Sequence, residues 1–562
     1  MKTKGTIFKR TISGKDYYYH QYLENGKQTS KTITENEAYR LGFENYFEGK
    51  DIEDFLHHEF NLEVNYGETL HALCAQYASF KRRFCFSDLK NFLIPGSYIG
   101  KVMILYGLRR TGKTTLMFQA ISEYSIKESA KVCYIKCNNG DTIYQLFDDL
   151  KYLTENGFSY IFIDEVTLLE DFINLSSTIS DIYGTKAKIV LSGTDSLGFL
   201  IAIRHELYDR YKMIHTTYIS YKEFAYTLAN KTIDEYIEYG GTMSMEGIDY
   251  NKTIRYGNNR INEYVDSSII HNIIHSLKNV DNGKYFFHLY DLYEKNELEN
   301  VINRIIEDNN HRFTISVIEQ DFKSHDYGSL KQILSSPKNI SEYGSILKNV
   351  NEEKLTKDLM DALNIINKEK QTHIVGDSVL LELQEYLKEL DVIKEIDEVI
   401  YHTFEVRKRT IFTQPGLRYA QAKTLIELLL NEPSLKQYDF NVLSFVKEKL
   451  LSDVKGKMIE DMIIYETSLH SPNTFKLYFG FNGEYDMVTI DQKNNESSIF
   501  EIKYAKTRNE NQYRYLKDNE LKTIFENKYS PIKNRIVLYR GEHQVFDDIE
   551  YINIEEYLYN LY

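Results

Sequence analysis

Gly107-Leu-Arg-Arg-Thr-Gly112-Lys113-Thr114 lies between a short apolar run, Val102-Met-Ile-Leu-Tyr106, and the segment Thr115-Leu-Met-Phe-Gln-Ala120. The run suits a buried parallel strand and the segment after it opens a helix, so the glycine-rich stretch sits at a strand-to-helix turn. It satisfies G-x-x-x-x-G-K-[ST]. In that setting backbone N–H groups wrap phosphates at a helix N-terminus, the lysine reaches the β and γ phosphates, and the final hydroxyl binds Mg²⁺. Gly107, Arg110, Thr111, Gly112, Lys113, Thr114 and Thr115 are therefore the residues expected to contact ATP, with Thr114 also on the metal.

Tyr160-Ile-Phe-Ile-Asp164-Glu165 is a strand-forming run closed by two carboxylates, about fifty residues after the loop. Asp164 is placed to hold the Mg²⁺ shell and Glu165 to polarise an attacking water, the division that phosphoryl transfer requires. Lys188-Ile-Val-Leu-Ser192-Gly193-Thr194 is a further buried strand ending in hydroxyls, expected beside the other two at the carboxyl edge of the sheet. Ser192 or Thr194 is the candidate γ-phosphate sensor. Arg210, in Leu207-Tyr-Asp-Arg210, is a candidate for stabilising transition-state charge, in cis or across a subunit boundary; an ordinary surface arginine is the alternative, as it is for Arg204.

The chain has 562 residues, more than the ~250 to 300 at which single cores stop growing, so three or four domains are expected. A net charge of -15 with 42% hydrophobic residues describes a globular protein rather than a basic nucleic-acid coat, and any nucleic-acid contact must be local. Four cysteines fit a reducing compartment, no second Cys/His pair has zinc spacing, and no run of ~18 apolar residues occurs. A cytoplasmic protein without a membrane segment is expected.

The organisation reads as multidomain α/β. Residues 1–60 form a small basic β unit plus helix, with Asn25-Gly26 as a turn and Thr34-Glu-Asn-Glu37 as a helix start. Its lysines interleave with Tyr17, Tyr18, Tyr19 and Tyr22, which suits either nucleic-acid backbone or a solvated sheet face. Residues 61–98 read as a helical lead-in, 99–224 as a parallel α/β sheet, 225–339 as a helical segment and 411–562 as a second α/β domain. Between them, 340–410 carries the amphipathic Leu381–Leu390 and a strand pair, the pattern of a winged helix or of a spacer. The expected strands include Met213–Ile219 and segments near 474–479, 484–490, 498–504 and 535–539, with helices near 438–467 and 508–527.

The order Gly-Leu-Arg109-Arg110-Thr-Gly-Lys-Thr-Thr, Phe162-Ile-Asp-Glu165, Val190-Leu-Ser-Gly-Thr194 and Ile219-Ser-Tyr-Lys-Glu-Phe224 resembles a family of bacterial and archaeal AAA-type predicted P-loop ATPases, over roughly residues 70–545. Tyr236-Ile-Glu-Tyr-Gly240-Gly241 and Thr410-Ile-Phe-Thr-Gln-Pro-Gly416-Leu-Arg418 match further steps of that pattern. The resemblance implies an ATP-hydrolysing core, a helical lid, a winged-helix-like segment and a C-terminal domain of restriction-endonuclease-like fold. Asp209 stands where the family usually has glycine, and Thr167 where a glutamine commonly follows the two acids.

In the C-terminal part, Gly483-Glu484-Tyr485-Asp486-Met-Val-Thr-Ile490 and Glu501-Ile502-Lys503 resemble a PD-(D/E)XK nuclease core. Glu501 and Lys503, two apart on one strand, share a face. With Asp486 they suit Mg²⁺ held against a phosphodiester while Lys503 orients the attacking water. Glu460, in Gly456-Lys-Met-Ile-Glu460, matches the family's helical glutamate and would complete the metal shell, while Gln512 and Tyr515 are weaker candidates for positioning substrate. A DNA-acting nuclease under nucleotide control, in defence against mobile DNA, is one expectation. A nucleotide-gated DNA- or protein-binding scaffold with an inert nuclease fold, or a signalling ATPase that assembles as a homo-oligomer, is the other.

Overall fold

The computed structural model describes residues 6–12, 15–24, 27–33, 59–124, 131–169, 171–193, 206–228, 231–243, 377–401, 405–480 and 483–561, with short pieces between 199 and 203 and between 288 and 362. The helix start at Thr34–Glu37, the candidate sensor Thr194, Arg204, and most of 244–376 lie outside the described residues. The chain divides into two compact units, Met1–Thr217 with Ser267–Tyr290, and Tyr218–Asp266 with Asp291–Tyr562.

At the N-terminus, β1 (Thr6–Ile12), β2 (Lys15–Glu24) and β3 (Lys27–Ile33) form an antiparallel meander. The main body of the first unit is a six-stranded sheet in the order β4-β6-β7-β8-β5-β9. Its parallel strands are β5 (Val102–Tyr106), β6 (Val132–Lys136), β7 (Tyr160–Asp164), β8 (Lys188–Ser192) and β9 (Tyr211–His215). All five residues of β5 are buried, which is why this strand reads as a continuous apolar run with no alternation. β8 lies between β5 and β7, so the carboxyl ends of the three motif-bearing strands come side by side.

Two elements of this unit differ from the sequence expectation. The lead-in contains an edge strand, β4 (Glu63–Tyr66), antiparallel to β6, ahead of helices α1 (Gly67–Ala78) and α2 (Phe86–Leu93). Four residues are too few to show a period. What holds the approach to this strand is distant: buried Asp149, on α4 (Ile143–Glu155), accepts from the Asn61 and Leu62 backbone N–H groups. β9 starts and ends earlier than Met213–Ile219, because Thr216 and Thr217 leave the strand to bond the loop after β5. That loop leads into α3 (Lys113–Ile121).

The second unit holds an eight-stranded mixed sheet in the order β11-β10-β12-β13-β14-β15-β17-β16. These strands are β10 (Ile393–Ile400), β11 (Glu405–Phe412), β12 (Thr474–Tyr478), β13 (Glu484–Asp491), β14 (Glu496–Ile502), β15 (Ile532–Tyr539), β16 (Gln544–Phe546) and β17 (Ile549–Asn553). The strand pair expected as the wing of a winged helix is instead part of this sheet. β10 pairs in parallel with β12, Glu398 opposite Lys476, and the boundary placed at 410 falls inside β11. Apolar burial explains the attachment: Val399 packs with Phe475 and Leu477, while Ile396 and Ile411 join the core that contains Ile459 and Ile463 of a 31-residue helix, α5 (Phe440–His470). The helix expected near 508–527 is broken into 3₁₀ turns at 510–513 and 515–517 before α6 (Asn519–Lys528), which Asp518 caps by accepting from Glu520 and Leu521 N–H.

Candidate functional site

The loop after β5 is shaped by its neighbours at the end of β9. Gly107 has φ +144°, and a Cβ there would lie 2.4 Å from Thr216 Oγ1 and 2.8 Å from Thr217 N, so only glycine fits. Leu108 N–H donates to Thr217 Oγ1 (3.1 Å), Thr111 Oγ1 donates to Leu108 O (2.7 Å), and the Thr111 and Thr216 hydroxyls are 2.8 Å apart. Arg83, 6% exposed, donates through Nη1 to Thr111 O and Thr216 O, both at 2.7 Å, and so ties the loop to β9. Gly112, at φ +90°, is the N-cap of α3, where backbone N–H groups have no partner within the helix. Thr115 lies in the first turn of α3, and Arg110, exposed at φ +63°, is in the loop itself.

Lys113 Nζ folds back onto the loop, donating to Gly107 O (2.7 Å) and Leu108 O (2.8 Å). Burial pulls its ammonium down to about 8, against the opposing pull of Glu165 and Asp164. Thr114 Oγ1 donates to Asp164 Oδ2 (2.7 Å), and Tyr134 OH donates to the same oxygen (3.0 Å). Glu165, immediately after, holds φ +56°, a left-handed conformation that costs a non-glycine residue of order 1 kcal/mol and clusters at functional sites. Ser192, at the end of β8, is buried, and its Oγ has no hydrogen-bond partner. A hydroxyl and a carboxylate already 2.7 Å apart, a buried unpartnered hydroxyl and a lysine over a helix N-terminus fit a Mg²⁺-bound nucleotide; Thr114 and Asp164 are the residues that would hold the ion.

Arg210 is not brought to this edge. Its guanidinium donates to Asp181 Oδ1 (2.6 Å) and Glu206 O (3.2 Å), and its carbonyl accepts from Val102 N–H at the opening of β5. The phosphate loop follows the other end of β5, roughly 13 Å away at ~3.3 Å per residue. Arg210 therefore does not contact a nucleotide bound to its own chain's loop. The residues that sequence reasoning missed here are Arg83, Tyr134, Thr216 and Thr217. Of these only the paired threonines closing a strand carried a local signal.

In the second unit, the C-terminal candidates converge from α5, β13 and β14. Lys503 Nζ lies 2.6 Å from Glu501 Oε2 and 3.1 Å from Asp486 Oδ2, which also accepts from Ile502 N–H at 2.8 Å. Glu501 Oε1 is buried with no hydrogen-bond partner. Burial works against ionising Asp486, but Lys503 and Lys476 outweigh it and hold the carboxyl well below its usual range; burial and the Asp486 charge push Glu501 up. Two adjacent carboxyls with divergent proton affinities and one open oxygen fit a cation held by Asp486 and Glu501.

Glu460 is brought near but engaged elsewhere. Its Oε1 is 2.7 Å from Lys476 Nζ and 2.6 Å from Lys457 Nζ. Burial opposes its ionisation, yet the two lysines hold its carboxyl below the ordinary range. Among the described residues no group of three or more His, Cys, Asp or Glu side chains is gathered so as to hold a metal ion. Lys476, which no motif marks, stands between these carboxylates. Gln512 bonds Thr507 O and Asn509 N–H at the wall of a 370 Å³ open cavity that Lys457, Glu460 and Lys503 also line, whereas Tyr515 packs its ring over Gly483.

A family model described as AAA domain matches residues 100–225. No curated protein matches the chain. Among solved structures it is similar to the Walker-type ATPase PABY2304 of Pyrococcus abyssi (14% identity, 61% of this chain and 95% of that one, TM-score 0.26). It is similar also to Hsp104 of S. cerevisiae in complex with ADP (11%, 72% and 62%, TM-score 0.27) and to the Orc1 protein of Aeropyrum pernix in complex with DNA (14%, 66% and 98%, TM-score 0.23). Residues 100–225 form an AAA-type P-loop domain that binds ATP, and the chain is an ATPase. Among the described residues no helix is long and apolar enough to cross a membrane.

Proposed function

We propose that the chain is an ATP-driven switch whose Mg²⁺-bound nucleotide state controls a C-terminal PD-(D/E)XK nuclease-like domain acting on DNA in the cytoplasm, in defence against mobile DNA. In the first unit Thr114 and Asp164 hold the ion, Lys113 turns from Gly107 O to the phosphates, Glu165 polarises the attacking water and Ser192 reads the γ-phosphate. In the second, Asp486 and Glu501 bind the cation and Lys503 orients the water that attacks the phosphodiester. The bound cation supplies charge neutralisation and a more acidic water. The segment 225–339, expected from its sequence to be helical, acts as a lid.

The observation that carries this reading is the meeting of Asp486, Glu501 and Lys503, with Glu501 Oε1 left unpartnered. Coupling follows the chain itself. Thr216 and Thr217 bond the phosphate loop, and the next residues, Tyr218 and Tyr221, donate through OH and backbone N–H to Glu466 Oε1 at 2.8 Å, on the same helix as Glu460. A loop that rearranges around the γ-phosphate shifts Thr217 and, through it, this anchor.

The test is cleavage of plasmid and linear DNA with Mg²⁺ or Mn²⁺, with and without ATP, for the wild type against Asp486→Ala and Lys503→Ala. Strand scission lost in both variants supports the reading, and equal behaviour of all three removes the nuclease claim. One observation favours a second reading, a nucleotide-gated DNA- or protein-binding scaffold with an inert nuclease fold that assembles as a homo-oligomer: buried Lys476 supplies the carboxylates with a cation of their own. That reading predicts ATP-dependent binding or assembly without scission.

A further inference from the structure

We propose that Lys476 is a resident counter-cation that keeps Glu460 and Glu484 out of the metal shell, so that the C-terminal cluster takes a single divalent cation, on Asp486 and Glu501. The role of that cation rests on the nuclease-like reading; its number does not. Lys476 Nζ lies 2.7 Å from Glu460 Oε1, 3.1 Å from Glu484 Oε1 and 3.6 Å from Asp486 Oδ1. Its side chain is 1% exposed. An ammonium has three donors and no acceptor, and here three carboxylates from a helix and a strand surround it, an arrangement in which a second metal ion would otherwise be coordinated.

The backbone is built for this lysine. β12 and β13 run in register from Thr474 opposite Thr489 to Phe475 opposite Val488, and again from Leu477 opposite Tyr485, with an irregularity between. Across it, Lys476 faces two residues of β13, Asp486 and Met487. A bulge of this kind re-aims side chains. It lets Met487 enter the apolar core with Ile459 and Phe500 while Asp486 faces the ammonium.

The two lysines at the cluster differ in freedom. Lys503 is 34% exposed and lines the open cavity, so its flexible stem can leave Asp486 and Glu501 when a dication arrives, and Glu501 Oε1 stands ready as an acceptor. Lys476 does not line that cavity and has no such exit. Glu460 is also compensated by Lys457 and lies 3.8 Å from Arg409 Nη2, so no uncancelled charge is left there for a dication. A dication at Glu460 would have to sit against a fixed like charge in a buried setting, where screening is weakest.

The test is Mn²⁺ titration of the nucleotide-free full chain, following free Mn²⁺ by electron paramagnetic resonance, with Asp486→Asn subtracted to count only ions that depend on this cluster. One ion per chain is expected. Glu460→Gln should keep it with an affinity within about threefold, since losing a true ligand or its support costs about tenfold or more. Lys476→Met should admit a second ion, or tighten the first by about tenfold, through the carboxylates it releases. Two ions or none in the wild type, a loss of about tenfold or more in Glu460→Gln, or a folded Lys476→Met that binds as the wild type does overturns the proposal. If Lys476→Met does not fold, Glu460→Gln decides alone. A single Mn²⁺ with no DNA cleavage leaves the inference standing and defeats the nuclease reading; Asp486-dependent cleavage together with weakened binding in Glu460→Gln does the reverse.

Discussion

Glu466 provides a pH dependence that can be worked from its surroundings. It is fully buried on α5, its Oε1 accepts from Tyr218 OH and Tyr221 N–H, and its Oε2 has no partner. Burial raises its carboxyl from 4.5 to about 7, with the two hydrogen bonds pulling weakly the other way. The folded form thus holds the proton more tightly than the unfolded chain. Between 4.5 and about 7 only the unfolded chain has lost it, so stability from this group falls as pH rises through that window and is level on either side. At ~1.36 kcal/mol per pH unit the span amounts to about 3 kcal/mol. Glu466→Gln removes the titration and keeps the acceptor, at a cost of about 1 to 3 kcal/mol for an amide donor buried without a partner. The difference in stability, variant minus wild type, should therefore climb by about 2.5 kcal/mol from pH 5 to pH 8, whatever its starting value. Because a chain of two units does not unfold in one step, the measurement is hydrogen exchange of peptides from 440–470, corrected for intrinsic rates at each pH. A difference that stays constant across the range refutes the argument.

Lys113→Ala should lower ATP turnover by about 100-fold or more, as expected for a charged donor aimed at developing phosphate charge, and phosphate release that persists in a clean preparation contradicts the loop assignment. Gly107→Ala pushes a Cβ to 2.4 Å from Thr216 Oγ1 and should weaken binding of a fluorescent ATP analogue by at least about tenfold; unchanged affinity means the loop does not need that approach. Tyr134→Phe removes one of two hydroxyls from Asp164 Oδ2 and should cost about tenfold in turnover, with Thr114→Val costing more. Arg210→Ala should leave turnover within about threefold at protein concentrations that keep the chain monomeric; a large loss appearing only on assembly would make it an arginine finger supplied in trans.

The two glycine-rich and acidic motifs, the strands that carry them and the order of their ends at one sheet edge could be read directly. Val102–Tyr106, Ile161–Ile163 and Ile189–Leu191 are buried on both faces and therefore continuously apolar, and the residues that handle phosphate sit within a few positions of their ends. The same holds for Asp486, Glu501 and Lys503, whose spacing places them near one another once a hairpin is assumed. The place of Arg210 at the far end of β5 left no local trace, because distance along the chain says nothing about which end of a parallel strand a residue meets; the bond from Val102 N–H to Arg210 O decides that. Arg83 reaches Thr216 across 133 positions, and Lys476 meets Glu460 only because a helix of 31 residues packs over the strand that bears it. Long side chains and pairings between strands far apart in sequence, such as β10 on β12, leave no period in the local pattern. Sequence alone determined which residues can handle phosphate and carboxylate chemistry, since that depends on residue type and short spacing. Which cation each carboxylate keeps was set by the assembled fold, because it depends on register, bulge and burial among segments far apart in the chain.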